Sequence, residues 1–517
     1  MGGGQTIADQ ILKTFALPDV VGSKTSSKKL INLLRGHVPL PFMQTRYTFG
    51  ALRGPIRHLI ANSTRWPNLS LLPTHLLDKA THNVLQKKTI AYPAMCYGPD
   101  SGDPRLKNNI AQWLTTFYKP ADPVSEDRMC ISGGASQNLA CLLQDFTDPV
   151  YTRNVWIVAP AYMLAFRIFE DAGFHKKLRA VPEDEEGIDM AYLRSQIKLS
   201  EEKARSENND EPQFKPPRPS NKIYKHVIYA VPGFSNPSSK TMSLKRREEL
   251  VRLAREYDAL IITDDVYDFL QWPSSLSPST LSIEKAGLPR IVDIDRYLDG
   301  GAERHGADGF GNAVSNGSFS KIFGPGLRTG WCEGTPKMAY GVSQTGSSRS
   351  GGAPSQLTAC FVAETLETGE LQRYVYDRLQ PTYGYRYRRM VEAINQHLIP
   401  LGVRIPQTDR EVVGGYFIWL TLPSPLRGAV VAQRAKEEEN LAVAQGEMFE
   451  VPGDTGHEGT SFSNDIRVCF AWEEEDMLAE GIERLAAVIN RMLNEEANGG
   501  QSTHRAAAQE EDAKNLW

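Results

Sequence analysis

Residues 318–331 read Ser-Phe-Ser-Lys-Ile-Phe-Gly-Pro-Gly-Leu-Arg-Thr-Gly-Trp and place one lysine, Lys321, among small and hydroxyl side chains. A lysine that binds an aldehyde through its amine needs space beside that amine, which serine and glycine leave open. Ser318, Ser320 and Arg328 supply hydroxyl and guanidinium donors, which bind phosphate groups well. The stretch therefore indicates a lysine next to a phosphate-bearing cofactor. A surface lysine in a glycine-rich loop is the alternative interpretation.

Outward from this stretch, apolar runs typical of strands alternate with helical patterns between about residues 105 and 335. The predicted strands are 128–132, 154–159, 225–231 and 260–263, and the predicted helices include 136–146 and one that Ser243 caps. Strands that alternate with helices predict an α/β fold with a mainly parallel sheet. Such sheets bind ligands at the carboxyl ends of their strands, where the motifs below are expected to lie.

Four short motifs follow the predicted strands, and a fifth candidate lies in an apolar segment near the C-terminus. The four are Gly133-Gly134-Ala135-Ser136, Pro160-Ala161-Tyr162, Phe234-Ser235-Asn236-Pro237 and Asp264-Asp265-Val266-Tyr267. Main-chain N–H groups at a helix start are natural phosphate donors. Helix capping, core packing of the tyrosines and a simple Asn-Pro turn are the structural alternatives. The fifth candidate is Arg467, because a charge on a buried strand is costly without a partner.

In this order, over roughly residues 90–490, the five elements resemble the fold-type I aminotransferases of class I/II, which use pyridoxal 5′-phosphate. The resemblance is strongest to the subgroup with the 2-aminoadipate and aromatic aminotransferases, including its fungal members. It implies a large cofactor-binding domain with a mostly parallel, seven-stranded-type sheet, and a smaller α+β domain. It also implies that two identical chains form a homodimer.

The resemblance assigns a role to each candidate residue. Lys321 would carry the cofactor as a Schiff base and act as the catalytic acid and base, while Asp264 pairs with the pyridine nitrogen. Tyr267 and Asn236 would hydrogen-bond the O3′ atom of the ring. The remaining cofactor ligands would be Ala135, Ser136, Ser318, Ser320, Arg328 and Tyr97 at the phosphate, with Tyr97 from the neighbouring subunit, and Tyr162 stacked on the ring. Arg467, with Asn236, would bind the substrate carboxylate.

The activity that the resemblance implies is transfer of an amino group from an L-amino acid, of the 2-aminoadipate or aromatic type, to a 2-oxo acid such as 2-oxoglutarate. A ping-pong mechanism would follow. A carbon–sulfur lyase, or an enzyme similar to aminocyclopropane-carboxylate synthase, would use the same cofactor residues and is an open alternative. An aminotransferase-like transcription regulator is a further alternative, although the N-terminal portion carries no helix-turn-helix pattern.

The composition of the chain limits the kinds of binding partner and the cellular location that we expect. The 517 residues carry a net charge of −4, which gives no reason to expect a nucleic-acid or anionic-membrane partner. No apolar run approaches the roughly 20 residues that span a bilayer, and no signal peptide is found, so a cytoplasmic location is expected. The six cysteines form no C-x-x-C pair, and no metal is expected. Gly2 fits a loose myristoylation template, but a floppy N-terminal arm is the preferred interpretation.

The sequence also predicts a division of the chain. Its parts are an N-terminal arm with part of the small domain (1–90), a large cofactor-binding domain (91–365), a small domain (366–496) and a disordered tail (497–517). Residues 38–66 are predicted to be an insertion, either near the substrate entrance or derived from translated intron sequence. Residues 200–222 and 298–313 are polar and rich in proline or glycine, which predicts disordered surface insertions.

Overall fold

The computed structural model describes residues 28–34, 67–216, 218–275, 283–352, 354–406, 410–454 and 459–498. The predicted insertion at 38–66, the glycine at position 2 and the tail from residue 499 lie outside these ranges. The predicted domain boundaries after residues 90 and 365 stay predictions. Both positions fall inside helices, at 88–94 and 356–367 respectively.

The strands are short and lie mostly in the first two thirds of the described chain. In chain order they are β1 (Ile31–Asn32), β2 (Met129–Ser132), β3 (Val155–Ala159), β4 (Leu178–Asp184), β5 (Gly187–Ile188), β6 (His226–Ala230), β7 (Ala259–Asp264), β8 (Gln271–Pro273), β9 (Ala313–Ser318), β10 (Gly330–Glu333), β11 (Val412–Gly414), β12 (Phe417–Thr421), β13 (Leu441–Ala442), β14 (Ala444–Gln445) and β15 (Asp465–Cys469).

The α-helices alternate with the strands of the large sheet and then dominate the C-terminal third. In chain order they are α1 (Thr74–Gln86), α2 (Lys88–Ala94), α3 (Pro104–Tyr118), α4 (Ala135–Phe146), α5 (Leu164–Phe169), α6 (Met190–Ser206), α7 (Leu244–Glu256), α8 (Ile291–Tyr297), α9 (Pro336–Ser343), α10 (Gln356–Glu367), α11 (Glu370–Tyr374), α12 (Gln380–His397), α13 (Gly428–Glu439) and α14 (Glu475–Ala497).

The large sheet has the strand order β2-β10-β9-β7-β6-β3-β4-β5. Strands β9, β7, β6, β3 and β4 run parallel, whereas β10 is antiparallel to both of its neighbours. This confirms the prediction of an α/β fold with a mostly parallel sheet. The sheet has eight strands, one more than the seven expected. The additional strand is β5, which has two residues and pairs antiparallel with β4 at the edge.

Apolar residues on both faces of the central strands explain why helices cover the sheet on both sides. Every residue of β6 and β7 is buried, as is typical of parallel strands between two helical layers. On one face α7 contributes Leu250, Leu253 and Ala254 to the core. The predicted N-cap of α7 is confirmed, since the Ser243 hydroxyl accepts the Arg246 N–H at 3.2 Å.

A smaller α+β unit follows in the chain. Its sheet has the order β12-β15-β14, with β15 antiparallel to both neighbours, and helices α12, α13 and α14 pack together beside it. The N-terminal strand β1 joins this unit by pairing in parallel with β13. The pairing places residues 31–34 beside β15, on which Arg467 lies.

Residues 200–222 are not a disordered insertion, contrary to the sequence-based expectation. The first seven form the last turns of α6, and Phe214 and Lys215 contact the buried carboxylate of Asp148. That carboxylate accepts the main-chain N–H groups of Phe214 at 2.6 Å and Lys215 at 2.9 Å. Composition suggested disorder because few apolar anchors are present, but a buried acid that accepts main-chain N–H groups orders this segment instead.

Residues 298–313 are likewise ordered. The buried Asp295 carboxylate accepts the N–H groups of Asn312 at 2.6 Å and Ala313 at 3.2 Å. Gly301 has a φ of +65°, and a Cβ there would lie 2.2 Å from the Arg296 carbonyl oxygen. The glycines therefore reflect a tight turn that is packed against α8, which glycine-rich composition alone does not distinguish from disorder.

Within the described residues, no helix combines the length and the apolar character needed to cross a membrane. Over the same ranges, no cluster of three or more His, Cys, Asp or Glu side chains is arranged to bind a metal ion.

Candidate active site

Lys321 lies three residues beyond the carboxyl end of β9 and lines a cavity of about 550 Å³. The fully buried Phe319 anchors the turn, because its carbonyl accepts the N–H groups of Phe323 at 2.9 Å and Gly324 at 3.1 Å. Burial lowers the pKa of the Lys321 amine to about 8. About a tenth of this amine is therefore neutral at pH 7 and about half at pH 8, and the neutral form is the one that a general base or nucleophile requires.

Asp264 is the last residue of β7 and faces the same cavity. One carboxylate oxygen, Oδ2, accepts the Tyr229 hydroxyl at 3.0 Å, while Oδ1 is buried and has no hydrogen-bond partner in the described part of the chain. Burial raises the pKa of Asp264 to about 6, although Tyr229 and the nearby Lys321 both favour the ionised form. A buried oxygen without a partner marks the position where a protonated nitrogen would fit.

Hydroxyl, guanidinium and main-chain donors gather at another part of the cavity wall. The Ser318 hydroxyl donates to the Ser320 hydroxyl at 2.9 Å. Arg328 donates to the Gly133 carbonyl at 2.7 Å, and no carboxylate of the described residues lies within 4 Å of its guanidinium. The N-terminal residues of α4, Ala135 and Ser136, line the same wall. These donors have the chemistry of a phosphate site.

Gly134 allows the guanidinium of Arg328 to pack closely against the start of α4. Its φ is +101°, and a Cβ there would lie 2.6 Å from the Arg328 Nη2 atom. Only glycine combines that backbone conformation with so close an approach of the arginine.

Asn236 and Tyr267 lie on the loops after β6 and β7, and both line the cavity. Tyr267 is buried, which raises the pKa of its hydroxyl well above the ordinary value, and Asn236 hydrogen-bonds that hydroxyl. The Oδ1 atom of Asn236 also accepts a hydrogen bond from Arg467 at 2.7 Å. These three predicted site residues are therefore directly connected.

Arg467 lies on β15, is 1% exposed and stacks over the Phe417 ring at 3.9 Å from its centroid. Its Nη2 donates to the Leu34 carbonyl at 2.9 Å, and its Nε is buried without a hydrogen-bond partner among the described residues. No carboxylate of the described residues forms an ion pair with it, so this buried cation is available to an anionic ligand.

Ten of the twelve predicted residues line one cavity, an eleventh contacts it, and one lies elsewhere. Tyr162 lines the wall beside α5, and Arg467 reaches the cavity through Asn236. Tyr97 does not line it and is 91% exposed, near Gly351 and Gln356. Its assignment to the site of a neighbouring subunit stays a prediction.

Sequence reasoning missed two residues with polar side chains in the same cavity, Tyr229 and Asn316. Tyr229 is the hydroxyl donor to Asp264, and Asn316 connects β9 to α4 through hydrogen bonds of 2.9 Å to Ala135 and Asn138. Each is a residue with a polar group inside a fully buried strand. Such a residue signals a buried polar partner, but the strand pattern does not say which one.

Comparisons of the sequence and the fold with known proteins identify the family of this chain. A family model described as aminotransferase class I and II matches residues 72–485. An uncharacterised protein of Saccharomyces cerevisiae is 34% identical over 439 residues, which cover 82% of this chain and 95% of that protein. A 2-aminoadipate transaminase of Thermus thermophilus is 26% identical over 428 residues, covering 83% of this chain and 89% of the enzyme.

Among solved structures, the kynurenine aminotransferase of Pyrococcus horikoshii, in complex with PMP, superposes with a TM-score of 0.65. It is 25% identical, and the match covers 95% of this chain and 96% of that chain.

Proposed function

The chain belongs to the class I and II aminotransferases, which use pyridoxal 5′-phosphate, and on this premise we propose that it moves an amino group between an L-amino acid and a 2-oxo acid by a ping-pong mechanism. The observation that carries the proposal is one cavity of about 550 Å³ lined by Lys321, Asp264 and Arg328. An amine, a buried unpaired carboxylate oxygen and a phosphate-type donor set are the three groups that such a cofactor needs.

The residues present fit this cofactor. Arg328, Ser318, Ser320 and the start of α4 would hold its phosphate, Asp264 Oδ1 its ring nitrogen, and Tyr267 with Asn236 its ring hydroxyl. When bound, the cofactor supplies an electron-withdrawing ring that acidifies the α-carbon of an amino acid. An ionised Asp264 beside the ring nitrogen keeps that nitrogen protonated, and the Tyr229 hydroxyl bond helps Asp264 to remain ionised.

Lys321 then moves the proton at the substrate's α-carbon. Its pKa of about 8 leaves some neutral amine near neutral pH to accept that proton, and the protonated amine would donate it on the cofactor side rather than back to the α-carbon, as amino-group transfer requires. Arg467 orients the substrate by binding its α-carboxylate, with the Asn236 side chain holding the guanidinium in place at 2.7 Å. Amino acid and oxo acid share this carboxylate, so one clamp serves both halves of the reaction.

We propose donors of the 2-aminoadipate or aromatic type and an acceptor such as 2-oxoglutarate. The support is the match to a 2-aminoadipate transaminase and to a kynurenine aminotransferase. Apolar side chains on the cavity wall, including Leu139, Ile168 and Val266, suit the carbon chain or ring of such donors.

A homodimer is proposed as well. Support comes from three exposed apolar side chains close together in sequence, Tyr92, Met95 and Tyr97, which are 60%, 69% and 91% exposed. Exposed apolar groups of this kind are typical of subunit contacts.

The test is a single half-reaction with the purified, cofactor-loaded chain and a panel of L-amino acids, without any oxo acid. A transaminase converts the bound cofactor stoichiometrically to its amine form, which is seen in the absorbance spectrum. A carbon–sulfur lyase or an enzyme similar to aminocyclopropane-carboxylate synthase would release product repeatedly and leave the aldehyde form. Borohydride reduction followed by peptide mass spectrometry should place the cofactor on Lys321, and Lys321→Ala should give no adduct.

A further inference from the structure

Tyr416 joins the small unit to the catalytic lysine. It lies between β11 and β12, is 4% exposed, and its hydroxyl is 2.9 Å from the main-chain carbonyl oxygen of Lys321. Its own carbonyl accepts the Phe470 N–H at 3.1 Å, which fixes the tyrosine to the end of β15. The contact spans 95 residues of sequence and is independent of the motif around the lysine.

The direction of the hydrogen bonds follows from the number of protons. The Tyr416 oxygen is also 3.3 Å from the hydroxyl of Tyr383 on α12, which is fully buried. Tyr416 has one hydroxyl proton, and a carbonyl can only accept, so Tyr416 donates to Lys321. Tyr383 therefore donates to Tyr416, and a chain of two bonds runs from α12 to the lysine.

The aromatic ring of Tyr416 lies near the Lys321 amine, whereas its hydroxyl contacts the Lys321 main chain. The Lys321 amine lies 5.5 Å from the centroid of the Tyr416 ring and 5.8 Å from that of Tyr267. The two rings are 5.4 Å apart and meet edge to face, with an interplanar angle of 65°. The amine thus has aromatic walls on two sides, and a tyrosine on each wall limits where it can move.

We propose that Tyr416 is a positioning residue for Lys321: its hydroxyl holds the main chain of the lysine while its ring bounds the path of the amine. The inference deepens the proposed function and rests on it, because it explains how Lys321 is aimed at the substrate's α-carbon. A misplacement of the amine by an ångström would cost catalysis much more than binding.

A purely structural role is the competing explanation, since any buried tyrosine hydroxyl needs an acceptor. The chain offers a matched control in Tyr224, which is also fully buried and donates to a main-chain carbonyl, that of Gly311, at 2.5 Å. Tyr224 does not line the cavity. Tyr224→Phe therefore removes the same kind of bond from the same kind of site, but without contact to Lys321.

The experiment compares Tyr416→Phe and Tyr224→Phe in the full-length chain. One readout is the rate at which pyridoxal 5′-phosphate attaches to Lys321 of the cofactor-free protein, followed by absorbance and by borohydride trapping. The other is the split between kcat and KM in transamination. Tyr416→Phe should lower the attachment rate and kcat about tenfold, with KM unchanged within about twofold. Tyr224→Phe should lower only the melting temperature.

The outcomes separate the inference from the proposed function. Wild-type protein that forms no adduct on Lys321 would overturn the proposed function. Wild-type protein that forms the adduct, together with a Tyr416→Phe variant that matches Tyr224→Phe in attachment rate and kcat, would overturn the inference alone. Should Tyr416→Phe fail to fold, Tyr383→Phe gives the answer, because loss of its donated bond should still slow attachment about two- to threefold. An unchanged rate in that variant would also overturn the inference.

Discussion

Among single residues, Asp264 is expected to lower the stability of the folded chain at a position where its carboxylate is needed for the proposed reaction. Its carboxylate is 9% exposed, has one protein donor and leaves Oδ1 unpaired within the described chain. Burial raises its pKa from 3.8 to about 6, so the folded, cofactor-free protein binds a proton more tightly than the unfolded chain does. The free energy of unfolding of that protein therefore falls as pH rises from about 4 to 6 and stays lower above this range.

Asp264→Asn should remove this cost and also remove activity. Without cofactor, the variant should exceed the wild type in free energy of unfolding by about 2–3 kcal/mol at pH 8 and by about half as much at pH 5. Urea unfolding at the two pH values measures this. Asp145→Asn is the matched control, since Asp145 is buried outside the cavity and its pKa is also raised to about 6. The control should gain stability and keep turnover, and an Asp264→Asn gain that is independent of pH would contradict the assignment.

Arg467 should act through substrate binding. Arg467→Ala should raise KM for amino acid and for oxo acid about 10- to 100-fold each, because both present the same carboxylate to the same buried cation. Steady-state kinetics with each substrate varied in turn is the measurement. Arg484→Ala is a suitable control, because Arg484 is also a buried arginine that donates to main-chain carbonyls, but it lies away from the cavity. Unaltered amino-acid affinity in Arg467→Ala would assign the carboxylate to another cation.

The predicted residues around Lys321 and the residues that sequence reasoning missed differ in how far apart their partners are in the chain. Lys321, Ser318, Ser320 and Arg328 lie within eleven residues, so their common purpose is visible in one stretch. Tyr229 and Asp264 are 35 residues apart, and Tyr416 and Lys321 are 95 apart. Such pairs form only because β-strands bring their ends together, and one sequence does not show which buried hydroxyl meets which acceptor.

At the scale of elements, the turn from β2 into α4 forms the part of the cavity wall that we propose binds the cofactor phosphate. Gly134→Ala should weaken cofactor binding about tenfold or more, because alanine opposes a φ of +101° and its Cβ would displace Arg328. Spectroscopic titration of the cofactor-free chain with pyridoxal 5′-phosphate measures this. Gly453→Ala is the control, since Gly453 also has a positive φ, +78°, with no atom within 4 Å of the added Cβ. Gly453→Ala should keep the wild-type cofactor affinity, and equal affinity in the two variants would contradict a role of the Gly134 turn in cofactor binding.

Helices and strands could be predicted where a periodic pattern of apolar residues had a clear beginning and end in the sequence. The strands expected at 128–132, 154–159, 225–231 and 260–263 match β2, β3, β6 and β7 within one residue at either end. The segments 200–222 and 298–313 were misjudged because their order depends on two buried acids, Asp148 and Asp295, that lie outside them in sequence. Composition counts charges and glycines, but it does not reveal main-chain partners elsewhere in the chain.

At the scale of the whole molecule, Tyr97 is the predicted cofactor ligand that lies away from the cavity of its own chain. In the single chain this tyrosine lies in the exposed region after α2, beside Gly351, and lines a groove separate from the cavity. A tyrosine with 91% of its surface exposed makes little contribution to the stability of its own chain. We expect its purpose to appear only when a second copy brings it to the phosphate donors of the neighbouring cavity.

This expectation can be tested by combining two defective subunits. Tyr97→Ala and Lys321→Ala homodimers should each be weak or inactive, but a mixed dimer should contain one intact cavity, with Lys321 from one chain and Tyr97 from the other. Random association of equal amounts should give about a quarter of wild-type activity, since half of the dimers are mixed and each has one of two sites. Co-expression with two different affinity tags and purification on both tags isolates the mixed dimer, which should have about half of the wild-type activity because one of its two sites is intact. If Tyr97 serves its own chain, the mixed dimer has no intact cavity and activity is not restored, and sedimentation of an active monomer would exclude the shared site altogether.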